Sequence, residues 1–312
     1  MDMSTIVKGS AAEKAQDRVA FWAIFSIPLI WGIGFPLTHN AVAHADPGVY
    51  AFARSFVALL ALLPFVLPVV FKVNRQTVVG GFLLGVFSAL NIVSQSYALS
   101  YLSSASAAFC VTLSVVFIPL IMLALRQGVP SRMDILSVVI GILGAYVFLG
   151  AQLELLSVGY FWGLTAAFAI AMTICIVGKL TSQYGRVNRL ALAFFQILFS
   201  TIILAYFPLN RSIEQLARTE VWIAVVFMGV MATALAVVLQ TRFQQRVGST
   251  RTSVIFNLDL VFAGLFGLLN REPLVVSQVI GGAVLLLASS LESALGVIKK
   301  FYCATFGVRC KK

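Results

Sequence analysis

Charge is what this chain has least of. Asp, Glu, Lys and Arg make up 11% of its 312 residues, against 60% hydrophobic. Soluble domains carry about 25% charged residues, so this composition marks an integral membrane protein. Cysteine is also scarce, at four. Cys110 and Cys175 fall in apolar stretches, where the thiol behaves as a small hydrophobe. Cys303 and Cys310 fall in a basic tail, expected reduced, with lipidation as an alternative. No disulfide framework follows from that pattern. Histidine occurs twice, as His39 and His44, with no Cys or carboxylate at ligand spacing, so neither a metal nor a cofactor is expected. There is no G-x-x-x-x-G-K loop, which excludes direct drive by ATP. Long polar connections are missing as well. The longest, Leu209–Glu220, is too short to fold as a domain, so any chemistry belongs inside the helix bundle.

What is present is a series of apolar stretches. A bilayer core about 30 Å thick takes about 20 apolar residues per helix. Ten stretches meet that length: Val19–Thr38, Gly48–Phe71, Thr77–Ser100, Ser104–Leu125, Met133–Ala151, Val158–Gly178, Leu190–Pro208, Val221–Thr241, Thr252–Leu269 and Val275–Val297. The expected fold is therefore all-α, with ten transmembrane helices. Its 18-residue polar leader carries Asp2, Glu13 and Asp17 before a full-length apolar stretch, which reads as a cytoplasmic tail rather than a cleaved signal.

Threading these stretches segregates the cations. The N-terminal tail, the even-numbered connections and the basic tail 299–312 hold 18 of the 22 Lys and Arg residues. Arg211, Arg218 and Arg271 fall on the other side, each with a Glu close by, and Arg54 alone lies within a span. Positive loops stay in the cytoplasm, so both termini are expected there, in a bacterial inner membrane. The net charge of +11 is spread over short loops; it implies contact with lipid headgroups and no nucleic-acid partner.

Ser104–Arg126 aligns without gaps on Ser249–Arg271. Ser104/Ser249, Leu113/Leu258, Val116/Val261, Phe117/Phe262, Leu120/Leu265, Leu123/Leu268 and Arg126/Arg271 are identical. The segments are spans four and nine. Halves of five spans must enter the membrane in opposite senses, giving an inverted repeat over 19–151 and 152–298. Repeats of this kind are typical of secondary transporters, with the substrate site between the halves.

Several motifs resemble those of the EamA-type transporters of the drug/metabolite transporter superfamily. Trp31-Gly32 with Phe35 is similar to the W-G-x-x-F opening of span one, with His39 where that pattern often has Lys. Ala51-Phe52-Ala53-Arg54 resembles the F-x-R stretch of span two, and Tyr97–Tyr101 the end of span three. Phe256–Ala263 resembles the L-E-P-V-x-A signature of span nine, and Glu272 matches its closing Glu. The chain departs from the pattern at Asp259 for Glu, Leu260 for Pro and Arg271 for Gly. Without the Pro, span nine is expected to be straighter than the family's.

A charge at mid-membrane costs about 3 kcal/mol on insertion scales, so Arg54 and Asp259 need a reason. Asp259 has three readings: a proton-coupling carboxylate or binder of a substrate amine, a structural partner of Arg54, or a group solvated by a cavity. Arg54 can bind substrate or snorkel to the interface. Asn91, Ser94 and Gln95 share a helix face at i, i+3, i+4, as interhelical glue or as substrate contacts. Trp31, Tyr97, Tyr146 and Trp162 are the aromatic cavity candidates, and His39 a candidate gate. Gln196 and Gln240 read as packing, and Asn257 faces away from Asp259.

The family's cavity, carried onto these positions, implies Trp31, Arg54, Asn91, Gln95, Tyr97 and Trp162 as substrate-binding, with Asp259 for a proton or a substrate amine. The function so implied is secondary transport, outward, of a small organic metabolite or drug-like solute such as an amino acid. It would use alternating access, driven by protons or by exchange, in a monomer or homodimer with no enzymatic activity. The rival within transport is an antiporter of nucleotide-sugars or other phosphorylated solutes, disfavoured by a single buried cation. A non-transporting scaffold and an intramembrane enzyme are the rivals outside it.

Overall fold

The computed structural model describes residues 3–70, 73–125, 132–148, 157–182 and 187–287. Lys72, Arg126, Arg186 and the basic tail with Cys303 and Cys310 lie outside the described residues. In hydrocarbon every backbone N–H and C=O must be satisfied internally, which leaves helices as the solution for single apolar runs. The chain accordingly folds as α1 (Met3–Val42), α2 (Pro47–Val70), α3 (Arg75–Tyr101), α4 (Ser104–Thr112), α5 (Ser114–Ala124), α6 (Arg132–Phe148) and α7 (Val158–Ser182). There follow α8 (Arg189–Leu204), α9 (Tyr206–Asn210), α10 (Thr219–Phe227), a π-helical segment Met228–Leu235, α11 (Ala236–Val247), α12 (Ser249–Phe256), α13 (Asp259–Leu269) and α14 (Val276–Leu287). Side-chain oxygens accept the orphan N–H groups at several starts: Asn74 takes Thr77 N, Ser103 takes Ser106 N and Asn188 takes Ala191 N.

Among the described residues, eight helical runs are long and apolar enough to cross a membrane. Two more, Val138–Phe148 and Val276–Leu287, are apolar but shorter, and both abut residues outside the description. The chain is a multi-pass membrane protein.

Three of the eight runs are broken: Arg189–Asn210 at Ala205, between α8 and α9, and the two aligned segments. The run Ser104–Ala124 breaks at Leu113, between α4 and α5; the run Arg251–Leu269 breaks at Asn257 and Leu258, between α12 and α13. Leu113 and Leu258 are partners in the alignment of spans four and nine, and their ψ angles, −5° and −14°, depart in the same direction from helical values. Span nine is thus interrupted without a proline, contrary to the expectation of a straighter helix. The reason is local. Leu258 N bonds Ile255 O at 3.1 Å and Leu260 N bonds Asn257 O at 3.3 Å, i→i+3 bonds that tighten the turn. Asp259 then opens α13, where a carboxylate is favoured by the helix dipole.

The early helices pack on late ones: α1 on α11 and α13, α2 on α8 and the π segment, α3 along α7 and α8. With lipid as apolar as leucine, close backbone approach drives such packing. At Gly32 an added Cβ would fall 2.2 Å from Phe262 Cβ, and at Gly81 2.3 Å from Phe195 Cβ. Both glycines are what let their helices meet.

Candidate functional site: a buried polar chamber

The helices converge on a buried polar chamber of about 50 Å³. That is room for a few waters and no large solute. From α1 come Trp31 and Thr38, from α2 Arg54, and from α3 Ser88, Asn91 and Gln95. Positions 88, 91 and 95 stand at i, i+3 and i+7, so one face of α3 carries all three. Thr173 on α7, Gln196 on α8, Thr233, Gln240 on α11 and Asp259 complete the polar wall.

Arg54 is 5% exposed and Asp259 2%, so both charges are sealed in. They do not meet: among the described residues they form no ion pair. Arg54 instead donates from Nε to Thr233 Oγ1 at 2.9 Å and from Nη1 to Gln95 Oε1 at 3.4 Å. Its Nη2 donates to no described residue. The Asp259 carboxylate lies beside the Thr112 hydroxyl and the Leu260 N–H, yet its Oδ1 is buried with no partner. Asn91 Oδ1 and Gln196 Oε1 are in the same state. An unsatisfied buried acceptor costs about 1–3 kcal/mol, and three of them, the Asp259 oxygen included, belong to residues lining one chamber.

The π segment shapes the opposite wall. Its wide turns present the Ala232 carbonyl, which accepts the Trp31 Nε1–H at 2.9 Å, and aim Thr233 at Arg54. Turns of this kind are rare and cluster at functional sites. Trp31 is held further by Phe256, edge-on at 4.8 Å.

Trp31, Arg54, Asn91, Gln95 and Asp259 thus come together. Tyr97 and Trp162 do not line the chamber. Tyr97 is two residues past Gln95, about 200° round α3, and its ring stacks on Trp162 at 5.0 Å. His39 points at the backbone, Nδ1 lying 2.8 Å from Leu99 O. Ser94 is buried outside the lining with its hydroxyl unpartnered. Tyr146 also stands outside the chamber lining: it is 65% exposed on α6. Gln196 and Gln240, read from sequence as packing, stand in the chamber wall. Ser88 was open to discovery, since it extends the Asn91–Gln95 stripe by one turn; the Ala232 carbonyl had no sequence signal.

Hydrogen bonds brace both ends of the chamber. At one end Tyr50, fully buried, shares a hydrogen bond of 3.0 Å with Thr38. At the other, Gln240 donates to Gln244 Oε1 at 2.9 Å, and Gln244 Nε2 donates to Ile174 O at 2.9 Å and Ser249 Oγ at 3.3 Å.

The membrane helix bundle thus surrounds a buried, sparsely charged chamber. A crystal structure that shares 18% of its residues superposes with a TM-score of 0.65, covering 89% of this chain and 97% of that one, which shows a common fold. An uncharacterized transporter of Archaeoglobus fulgidus is 28% identical over 295 residues, 94% of this chain and 92% of the relative. A second uncharacterized transporter of that organism is 26% identical over 237 residues, 75% of this chain and 82% of its own length. The profile of the EamA-like transporter family matches twice, over residues 18–150 and 157–293, and so spans most of the sequence. With that double match the resemblance read from Trp31-Gly32, Arg54 and Glu272 becomes membership: the chain belongs to the EamA-like transporter family.

Proposed function

We propose that the chamber is the substrate site of a secondary active transporter that exports a small zwitterionic solute, such as an amino acid, by alternating access. The observation that carries this reading is the separation of the two buried charges. Arg54 keeps Nη2 for a carboxylate, while Asp259 Oδ1, Asn91 Oδ1 and Gln196 Oε1 lack donors that an ammonium group would supply. Trp31 offers an aromatic surface in the same lining. Energy comes from a proton taken by Asp259 or from an exchanged solute. A phosphorylated solute needs more buried cations than the single Arg54 in the lining.

The architecture of the proposal is ten spans in two inverted halves. The breaks at the aligned residues Leu113 and Leu258 support it, as do half-helix ends at a midplane site, which recur in such carriers. The Lys and Arg distribution supports cytoplasmic termini in a bacterial inner membrane.

The test is counterflow in proteoliposomes loaded with single radiolabelled α-amino acids, with a pH-sensitive dye inside. Wild type is expected to show saturable flux of at least one, with proton movement. Asp259→Asn is expected to lose the proton movement while keeping a monodisperse elution profile. Unchanged coupled flux in that variant removes Asp259 from the mechanism. No saturable flux of any amino acid by folded wild type overturns the substrate class.

A further inference from the structure

Asp46, in the link between α1 and α2, does two jobs at once. Its Oδ1 accepts from Gly48 N at 2.9 Å and Val49 N at 3.0 Å, capping α2. Its Oδ2 is paired with Nη1 of Arg211, which follows α9. The capped turn carries Tyr50, whose N–H bonds the Asp46 carbonyl at 2.9 Å and whose hydroxyl meets Thr38 in the chamber wall. One turn further along α2 stands Arg54. The first turn of α2 is therefore the plug at this end of the chamber, and Arg211 is its tether.

Arg211 is itself anchored on the far side. Its guanidinium lies over the Phe207 ring at 5.7 Å, and that ring lies 6.4 Å from the ring of Tyr97, which stacks on Trp162 at 5.0 Å. An unbroken chain of contacts thus crosses this end of the bundle, from the cap of α2 through α9 and α3 to α7. Its ionic link is the one exposed member: the Arg211 side chain is 46% exposed. Exposed ion pairs are weak, which suits a contact that breaks once per turnover, whereas the aromatic part stays packed.

We propose that Asp46 and Arg211 form the latch that closes this end of the chamber, and that Tyr97 and Trp162 serve the latch as its anchor rather than the solute. They are positioning residues for the transport step; the inference rests on the alternating-access reading above. Releasing Arg211 frees the first turn of α2 to swing Tyr50 off Thr38. The end held by Gln244 uses buried amide contacts, beside an exposed ion pair of its own between Arg246 Nη1 and Asp17 Oδ1 at 3.6 Å.

The test uses the full chain in detergent with Cys303→Ser and Cys310→Ser, since Cys110 and Cys175 are buried. Single reporters Leu99→Cys, on the Tyr50 side of the chamber, and Val237→Cys, on the Gln240 side, are labelled with a bulky maleimide. Asp46→Asn keeps an oxygen to cap α2 while removing the charge, and Arg211→Gln removes the cation alone. Each is expected to speed labelling at position 99 about tenfold and slow it at 237, and the double variant is expected to do no more than either single. Unchanged labelling at 99, equal acceleration at both positions, or additive effects overturn the latch. If the expected pattern appears in a protein that moves no solute, the latch stands and the transport reading falls.

Discussion

Glu272 gives the sharpest quantitative test of how the first and second halves are joined. Its carboxylate reaches from the turn after α13 to the start of α4. Oε2 accepts the Ser104 N–H and Oε1 accepts the Ser104 hydroxyl, both at 2.7 Å. The residue that closes one aligned segment thus caps the helix that opens the other. A hydrogen bond to a charged group is worth about 1.5–3 kcal/mol, and partial exposure puts each of these near the lower figure. Glu272→Ala removes both, together with a longer 3.2 Å bond that Oε1 accepts from Asn270 Nδ2, and is expected to cost at least about 3 kcal/mol. Ser104→Ala removes only the hydroxyl donor and is expected to cost about 1.5 kcal/mol, because the backbone N–H keeps its carboxylate. The double variant is expected to lose no more than Glu272→Ala alone, giving a coupling of about 1.5 kcal/mol. Detergent-titrated unfolding of the four proteins measures all three differences. Additive losses would mean that the two side chains do not share a bond, and a Glu272→Ala protein as stable as wild type would refute the cap.

Two further changes probe the chamber wall and the helix contacts. Thr233→Val removes the acceptor of Arg54 Nε and leaves a buried charged donor unpaired, a loss of about 1.5–3 kcal/mol. It is expected to lower the melting temperature and to weaken binding of any solute that protects wild type in a thermal-shift screen; unchanged values on both counts refute the assigned bond. Gly32→Ala puts a methyl 2.2 Å from Phe262 Cβ and 3.0 Å from the Phe262 carbonyl carbon, so α1 and α13 must separate. Overpacking costs about 1–3 kcal/mol, and a protein of undiminished stability by the same unfolding assay would show that the contact yields.

Most of the fold was legible because membrane burial leaves so little choice. Twenty apolar residues in a row can only be a helix, and Lys and Arg can only gather at helix ends, so the runs of α1–α3 and α7–α8 follow from hydropathy alone. The site was half legible for the same reason. A charge as costly as Arg54 or Asp259 must face the interior, and the Asn91–Gln95 stripe had to follow. What hydropathy cannot do is tell one interior direction from another. Gln196 and Gln240 stand alone among apolar neighbours, so nothing in their spacing separates chamber wall from packing. Tyr97 and Tyr146 have the same polar-tipped ring, yet one stacks inside the bundle and the other lies on its surface, because that outcome depends on which helices flank α3 and α6. The backbone surprises are a further kind. The break at Leu258 needs no Gly or Pro, since the tight bonds that make it are backbone bonds.

The matched breaks also explain why a carboxylate sits in one half only. In the alignment Asp259 pairs with Ser114, and each is the first residue of the half-helix that follows its break. Both half-helices present an N-terminus to the bundle interior, where the dipole favours a negative group by about 0.3–1 kcal/mol, and up to about 2 in buried settings. Holding an Asp at that depth costs about 2.5–3.5 kcal/mol. The dipole therefore offsets part of the cost and leaves a remainder of the order of 1–2 kcal/mol, which matches the finding that Asp259 Oδ1 has no protein donor. A second carboxylate at position 114 would pay the same cost and repel the first. With Ser114 there instead, the chamber holds one acidic and one basic side chain that do not pair, and the outstanding cost falls when a proton or an ammonium group arrives. Placing Asp at 114 and Ser at 259 tests this directly. The swapped protein is expected to fold, because each half-helix start accepts either residue, and to lose coupled flux, because the carboxylate no longer lines the chamber with Arg54. Retained flux would show that the dipole site, and not the chamber, is what Asp259 serves.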